Sequence, residues 1–243
     1  PLPDDVRADA AEAADAALAG LHDRWNPDTE RFPQRASEES RDDRPDASTF
    51  ALASAATEYA ALRTESGEAT DGGTAAAAVD FDAFLDRVST HALTTIGELR
   101  RETADVEGLV RFTGDDWRTA EQGAAKVWSI ATLWGATAAA ELGGLVRERD
   151  GDASDLFAAA RDLYALCEPD GPFANDAGLL TEQAFDDGDL DGATPIAWSH
   201  ALRIDATVRL ASHGELPVPH DEPQGPKEAP HWTTGRKFGV GAP

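Results

Sequence analysis

The stretch KVWSIATLWGATAAAEL, residues Lys126 to Leu142, carries charge only at its first residue and at Glu141. Val127, Trp128, Ile130, Leu133 and Trp134 fall on several faces of a helix, and a helix that is apolar nearly all round is a buried one. The segments on either side differ in character. Asp80 to Arg100 has a one-sided stripe of Phe81, Phe84, Leu85, Val88, Ala92, Ile96 and Leu99, and Ser154 to Cys167 is amphipathic through Leu156, Ala160, Leu163 and Cys167. Ser154 is placed to cap that helix. Further out the alternation repeats. Asp4 to Arg24 is one-sided through Val6, Ala10, Ala14, Ala17 and Leu21, whereas Ala47 to Arg63 is apolar nearly all round through Phe50, Leu52, Ala55, Ala56, Tyr59 and Leu62. A sixth helix is expected from Thr194 as N-cap and Pro195 as first helical residue, stopping before Gly214.

Outer, inner, outer, inner, outer, inner is the pattern of stacked helical hairpins. It predicts an all-α protein built as an α/α toroid, with the second, fourth and sixth helices buried, and strand signals are lacking. The outer-to-inner links (25–46, 101–125 and 168–194) are the long ones and contain acids and aromatics. They should share one end of the molecule, where a site is expected. Residues 1–213 read as one domain, residues 65–78 as a solvated loop at the opposite end, and residues 214–243, rich in Pro and Gly, as an extended tail.

Charge excludes a broad class of partners. Asp and Glu number 46 against 21 Lys and Arg, for a net charge of −25, so nucleic acid is not an expected partner. The lysines are Lys126, Lys227 and Lys237 only, and methionine is absent, a bias that reads as a surface adapted to high salt. Screening is what makes such a charge tolerable, since the Debye length falls to about 3 Å at 1 M salt. The single cysteine, Cys167, excludes an intrachain disulfide and reads as a small core residue. No apolar run reaches the roughly 20 residues that span a bilayer, and no basic-then-apolar leader opens the chain; the expected location is the cytoplasm of a high-salt cell. His22, His91, His213, His220 and His231 lack metal-ligand spacing, and the acidic run Asp186 to Asp191 lacks the ordered ligands of an EF-hand, so neither metal nor cofactor is expected.

Chemistry concentrates in GLLTEQAFDDGDLDGATPIAWSH, Gly178 to His200, which sets the carboxylate of Glu182 in a tight loop just before a helix start. Gly178-Leu179-Leu180, Glu182-Gln183, Pro195 and Trp198-Ser199-His200-Ala201 together resemble the second catalytic segment of glucoamylase-like glycoside hydrolases of family 15. The resemblance implies inverting hydrolysis of α-glucosidic bonds from non-reducing ends, with Glu182 as the general base that activates water and an α-glucan or α-glucoside as substrate. Ser199 and His200, in the first turns of the helix, can hydrogen-bond the carboxylate or the water. Arg111-Phe112 followed by Asp115 resembles the family's Arg-Tyr-x-x-Asp substrate-binding stretch, although Phe112 replaces the tyrosine and Thr113-Gly114 departs from the usual pair. Arg111 would donate to sugar hydroxyls and Asp115 accept from them, and either Trp117 or Trp128 would stack on the pyranose ring. Asp46, ahead of Ala47-Ser48, is similar to a family Asp-Ala-Ser stretch but reads better as a helix N-cap.

One departure matters most. The family's general acid sits in an earlier Trp-Glu loop, and no Trp-Glu occurs here; Glu38-Glu39 is the nearest imitation. The resemblance covers about Ala10 to Ala211, the later half of the family's catalytic domain. Six helices do not close an (α/α)6 toroid of twelve, so the missing N-terminal half or a partner chain is the expected complement. A trehalase or glucodextranase relative on the same fold, and a carbohydrate-binding or structural helical protein without turnover, remain the alternatives.

Overall fold

The computed structural model describes residues 4–65, 80–102, 105–115 and 126–217, and these are mostly helical. The centre of the packing is α4 (Ser129–Glu148), which touches α2 (Ala51–Glu65), α3 (Phe81–Leu99), α5 (Ser154–Ala165) and α6 (Ala197–Ser212). Small residues make this crowding possible. A Cβ on Gly135 would stand 2.9 Å from Leu109 and 3.1 Å from Leu163, and one on Gly143 would stand 3.0 Å from the Phe157 ring. Those neighbours therefore lie directly on the α4 backbone. The α2, α4 and α6 helices form one row, with α4 in the middle, and α3 and α5 lie behind it; α1 (Asp4–His22) packs on α2.

The row is in register at one end. The 3-10 turn Ala47–Phe50 leads into α2, and the Ala47 N–H donates to the Arg111 carbonyl at 2.7 Å. Arg111 in turn lies over Trp128, the residue preceding α4, and the hydroxyls of Ser129 and Ser199, in the first turns of α4 and α6, meet at 2.7 Å. The N-termini of α2, α4 and α6 thus gather where the long links gather. At the opposite end Arg147 of α4 donates to the His213 carbonyl at 2.8 Å, and Glu215 takes ion pairs from Arg147 and Arg161.

Several expectations need correction. Short strands do occur: β1 (Arg35–Ala36) with β2 (Arg41–Asp42), β3 (Arg100–Glu102) with β4 (Glu107–Leu109), and β5 (Val127–Trp128), β6 (Gln183–Ala184) and β7 (Leu190–Asp191) as a three-stranded ladder. Two or three residues are too few for a period-2 signal, and these ladders serve to pin the links. Because β5 takes Val127 and Trp128, α4 starts at Ser129 rather than Lys126. Ala153, not Ser154, holds the cap position of α5, and the Asp152 carboxylate accepts from the Ser154 N–H at 3.0 Å. Thr194 does not cap α6 and Pro195 is not its first residue, since the Thr194 hydroxyl donates to Thr181 and the helix opens at Ala197.

The row is also not uniformly buried. α4 is mostly buried from Ser129 to Leu145, but within α2 only Ala53 and Ala56 are, and α6 leaves Trp198, Ile204 and Val208 exposed by 58, 66 and 60%. After α6 the chain turns back, so that Glu215 and Leu216 lie against the body. The remainder of the expected tail and the residue 66–79 loop lie outside the described residues. Among the described residues no helix is long and apolar enough to cross a membrane.

Candidate active site

Arg111 follows β4 and is fixed by its own backbone, whose carbonyl caps the entry to α2. Its guanidinium grips Asp115 through two bonds of 2.7 Å, one to each carboxylate oxygen. Such a planar fork on a nearly buried carboxylate is the strong form of the pair. The guanidinium also lies 4.2 Å from the centre of the Trp128 ring. Its pKa is raised, first by the hydrogen bonds to Asp115 and further by the nearby Asp46 and Glu182 carboxylates. Arg111, Asp115, Trp128 and Glu182 are therefore brought together, at the end where α2, α4 and α6 begin. Trp117 lies outside the described residues.

Glu182 is positioned by both of its neighbours in the ladder. Its carbonyl accepts from the Ser129 N–H at 3.1 Å, and Gln183 pairs with Trp128 on one side and Asp191 on the other. The half-buried side chain leans on the turn after β7, where the Ala193 N–H approaches the carboxylate at 3.4 Å. That turn requires Gly192. Its φ is +84°, and a Cβ there would stand 2.6 Å from a Glu182 carboxylate oxygen. Gly178, at φ +72°, makes the earlier turn, in which the Asn175 side chain accepts from the Ala177 and Leu179 N–H groups at 3.0 Å each.

Ser199 and His200 do not bond the Glu182 carboxylate. Ser199 is fully buried and tied to Ser129, whose hydroxyl also donates to the Thr181 carbonyl at 2.5 Å. His200 accepts from the Leu180 N–H at 3.1 Å. Both side chains dock α6 onto the segment that carries Glu182, so they position it from behind. Asp46 is the N-cap, accepting from the Ser48 N–H at 2.7 Å, and it bridges to Phe112.

Residues without a sequence signal complete the frame. Lys126 has a side chain 1% exposed, ion-paired with Asp191, 3.9 Å over the Phe185 ring. It fastens β7 to the start of β5. Within this ladder the buried Trp128 Nε1 and Gln183 Oε1 have no hydrogen-bond partner among the described residues. Glu38 and Glu39 sit exposed in the β1–β2 turn, among the hydrogen bonds of Ser37 and Ser40.

Metal chemistry finds no frame among the described residues, where no group of three or more His, Cys, Asp or Glu is placed to hold an ion. His91 is core, accepting from the Phe32 N–H at 3.1 Å and held down to about 4 by burial and then by Arg31. Cys167 is buried too, and burial pushes its thiol up. No family model, no curated protein and no solved structure matches this chain.

Proposed function

We propose that this chain is the later half of a glucoamylase-like α/α toroid, with Glu182 as the general base of an inverting glycoside hydrolase. The observation that supports it is the convergence of Glu182, the Arg111–Asp115 fork and Trp128 where α2, α4 and α6 begin. Inversion needs a water between the base and the anomeric carbon, with a second carboxyl group about 6.5–9.5 Å away to protonate the leaving oxygen. Glu182, half-buried and backed by the Ala193 N–H, takes the proton from that water as the C–O bond to the sugar forms. Arg111 and Asp115 hold the hydroxyls of an α-glucoside, and the indole of Trp128 flanks it. The proton for the leaving oxygen belongs to the complementary half of the ring, since the Trp-Glu dipeptide is missing here.

That division suggests a substrate for the test. An α-glucosyl fluoride loses a leaving group that needs little protonation, so the base alone should turn it over. In molar KCl the wild-type chain is expected to release glucose from it, and Glu182→Gln to lower the rate by about 10²–10⁴, the usual worth of a general base. The same variant should still bind maltooligosaccharides, read by tryptophan fluorescence, because the amide keeps the shape of the carboxylate. Unchanged turnover in Glu182→Gln would place the base elsewhere; binding untouched by Arg111→Met would remove the sugar site.

A further inference from the structure

An ion pair crosses the strand that follows Glu182. In the three-stranded ladder Trp128 stands opposite Gln183, Gln183 opposite Asp191, and Val127 opposite Ala184. Side chains alternate along a strand, so Lys126, Gln183, Phe185 and Asp191 fall on one face. There the Lys126 ammonium lies 3.9 Å over the Phe185 ring and pairs with the Asp191 carboxylate, joining the start of β5 to the end of β7 across the β6 strand between them. The residue type is unusual for this chain. Up to Pro217 every other base apart from histidine is an arginine. The ammonium is the compact charge of the two, without the wide planar fork of a guanidinium. Because Lys126 is so deeply buried, its charge is tolerable only when paired, which ties the place of Asp191 to it.

The other face of the ladder belongs to Glu182. Glu182 and Gly192 are the neighbours of the Gln183–Asp191 pair, and they lie against each other: a Cβ on Gly192 would stand 2.6 Å from a Glu182 carboxylate oxygen and 2.9 Å from the Glu182 Cβ. Asp191 is held twice, by Lys126 through its carboxylate and by the Thr181 hydroxyl, which donates to its carbonyl at 2.9 Å. Gly192 and Ala193 follow directly, and the Ala193 N–H approaches the Glu182 carboxylate at 3.4 Å. A movement of Asp191 is therefore a movement of the surface on which Glu182 leans.

We infer that Lys126 is a positioning residue: through Asp191 it sets the 192–193 turn against Glu182 and so fixes where that carboxylate stands. Lys126 works from the opposite face of the ladder and does not touch the substrate. With a neutral side chain at 126, the Asp191 carboxylate, 21% exposed, is drawn toward water, and the turn goes with it. The expected effect on rate rests on the reading of Glu182 as general base, whereas the placing of the carboxylate is measured without substrate.

Proton–nitrogen NMR of the full chain in molar KCl follows the Ala193 amide proton across the acid range. In the wild type this resonance should move as the Glu182 carboxyl ionises, and in Glu182→Gln it should stay still, since an N–H that donates to a carboxylate reports its charge. In Lys126→Met the movement should be lost, because the turn no longer meets the carboxylate, while the amides of α4 keep their resonances. On α-glucosyl fluoride the same variant should lower kcat about 10–10²-fold at unchanged KM, the effect of a group displaced by about an ångström. Asp191→Asn, which keeps the shape of the partner and removes its charge, should act in the same direction to a smaller extent, and it carries the test should Lys126→Met not fold. An Ala193 resonance that follows the carboxyl in both variants as it does in the wild type would overturn the inference, whatever the rates. So would one that ignores Glu182 in the wild type, or a displacement of the α4 resonances in both variants, which would mean that the pair serves the fold as a whole. Loss of the Ala193 movement in the variants of a chain that releases no glucose would uphold the placing of Glu182 and tell against its role as base.

Discussion

Compare α4 with α6. Both are apolar on more than one face, and both begin at the same end of the molecule, tied through Ser129 and Ser199. Yet α4 is buried along most of its length, and α6 keeps a full stripe of Trp198, Ile204 and Val208 in solvent. The difference lies in neighbours rather than in the helices. α4 has α2 and α6 beside it and α3 and α5 behind; among the described helices α6 packs chiefly on α4 and less on α5. An apolar stripe records what a helix is built to touch, and the described residues cover such a stripe on α4 and not on α6.

The largest perturbation of that contrast should be dilution of salt. With 46 acidic side chains against 21 basic ones, transfer from molar KCl to dilute buffer is expected to remove most of the stability, on the order of 5–15 kcal/mol for an ordinary domain. Hydrogen exchange during the transfer should release amides of α6 first and of α4 last. Equal unfolding midpoints in the two buffers would refute the high-salt reading of the composition.

Next in size is a pair of truncations. Leu142→Ala, in the fully covered part of α4, should cost about 2–5 kcal/mol through the cavity it leaves. Ile204→Ala on α6 should change the stability of the monomer by less than about 0.5 kcal/mol, since its side chain already stands in water. Chemical denaturation of both variants measures the difference. Similar losses would mean that α6 is covered in solution by the chain itself.

The smallest effect is a pH slope at the seam between the helices. Glu141 of α4 lies between Ser54 of α2, which donates to it at 3.0 Å, and Arg209 of α6 at 3.2 Å. Burial holds its carboxyl above the usual range, with Arg209 and Ser54 opposing that shift. A raised acid holds its proton more tightly in the folded chain than in the unfolded one. Its contribution to stability is therefore fully present below the ordinary Glu range and is lost as pH rises through the raised value. Glu141→Gln should flatten that part of the stability curve relative to wild type. A curve of unchanged slope would mean that the carboxyl is not desolvated in solution.

What could be read in the sequence follows from the same contrast. The helices were legible because each carries a long periodic pattern, and α4 was legible as the centre because it is apolar all round. Burial of α2 and α6 was not, because a stripe states a need for cover without stating whether cover is present. The two-residue strands left no pattern, and the Lys126–Asp191 pair joins residues 65 apart with no local sign. At the candidate site, it is the resemblance to glucoamylase-like hydrolases, not periodicity or spacing, that singles out Glu182, Arg111, Asp115 and Trp128. The inward turn of Ser199 was overlooked, although Ser199, Ala206 and Leu210 fall on one helix face and carry that signal.

The central claim is that Glu182 activates water against the anomeric carbon, and the product records it. Proton NMR of the first glucose released from α-glucosyl fluoride in molar KCl reads the anomer before mutarotation. The account predicts β-glucose, formed by inversion and lost in Glu182→Gln. α-Glucose as the first product, or β-glucose formed equally fast by the Gln variant, would contradict it.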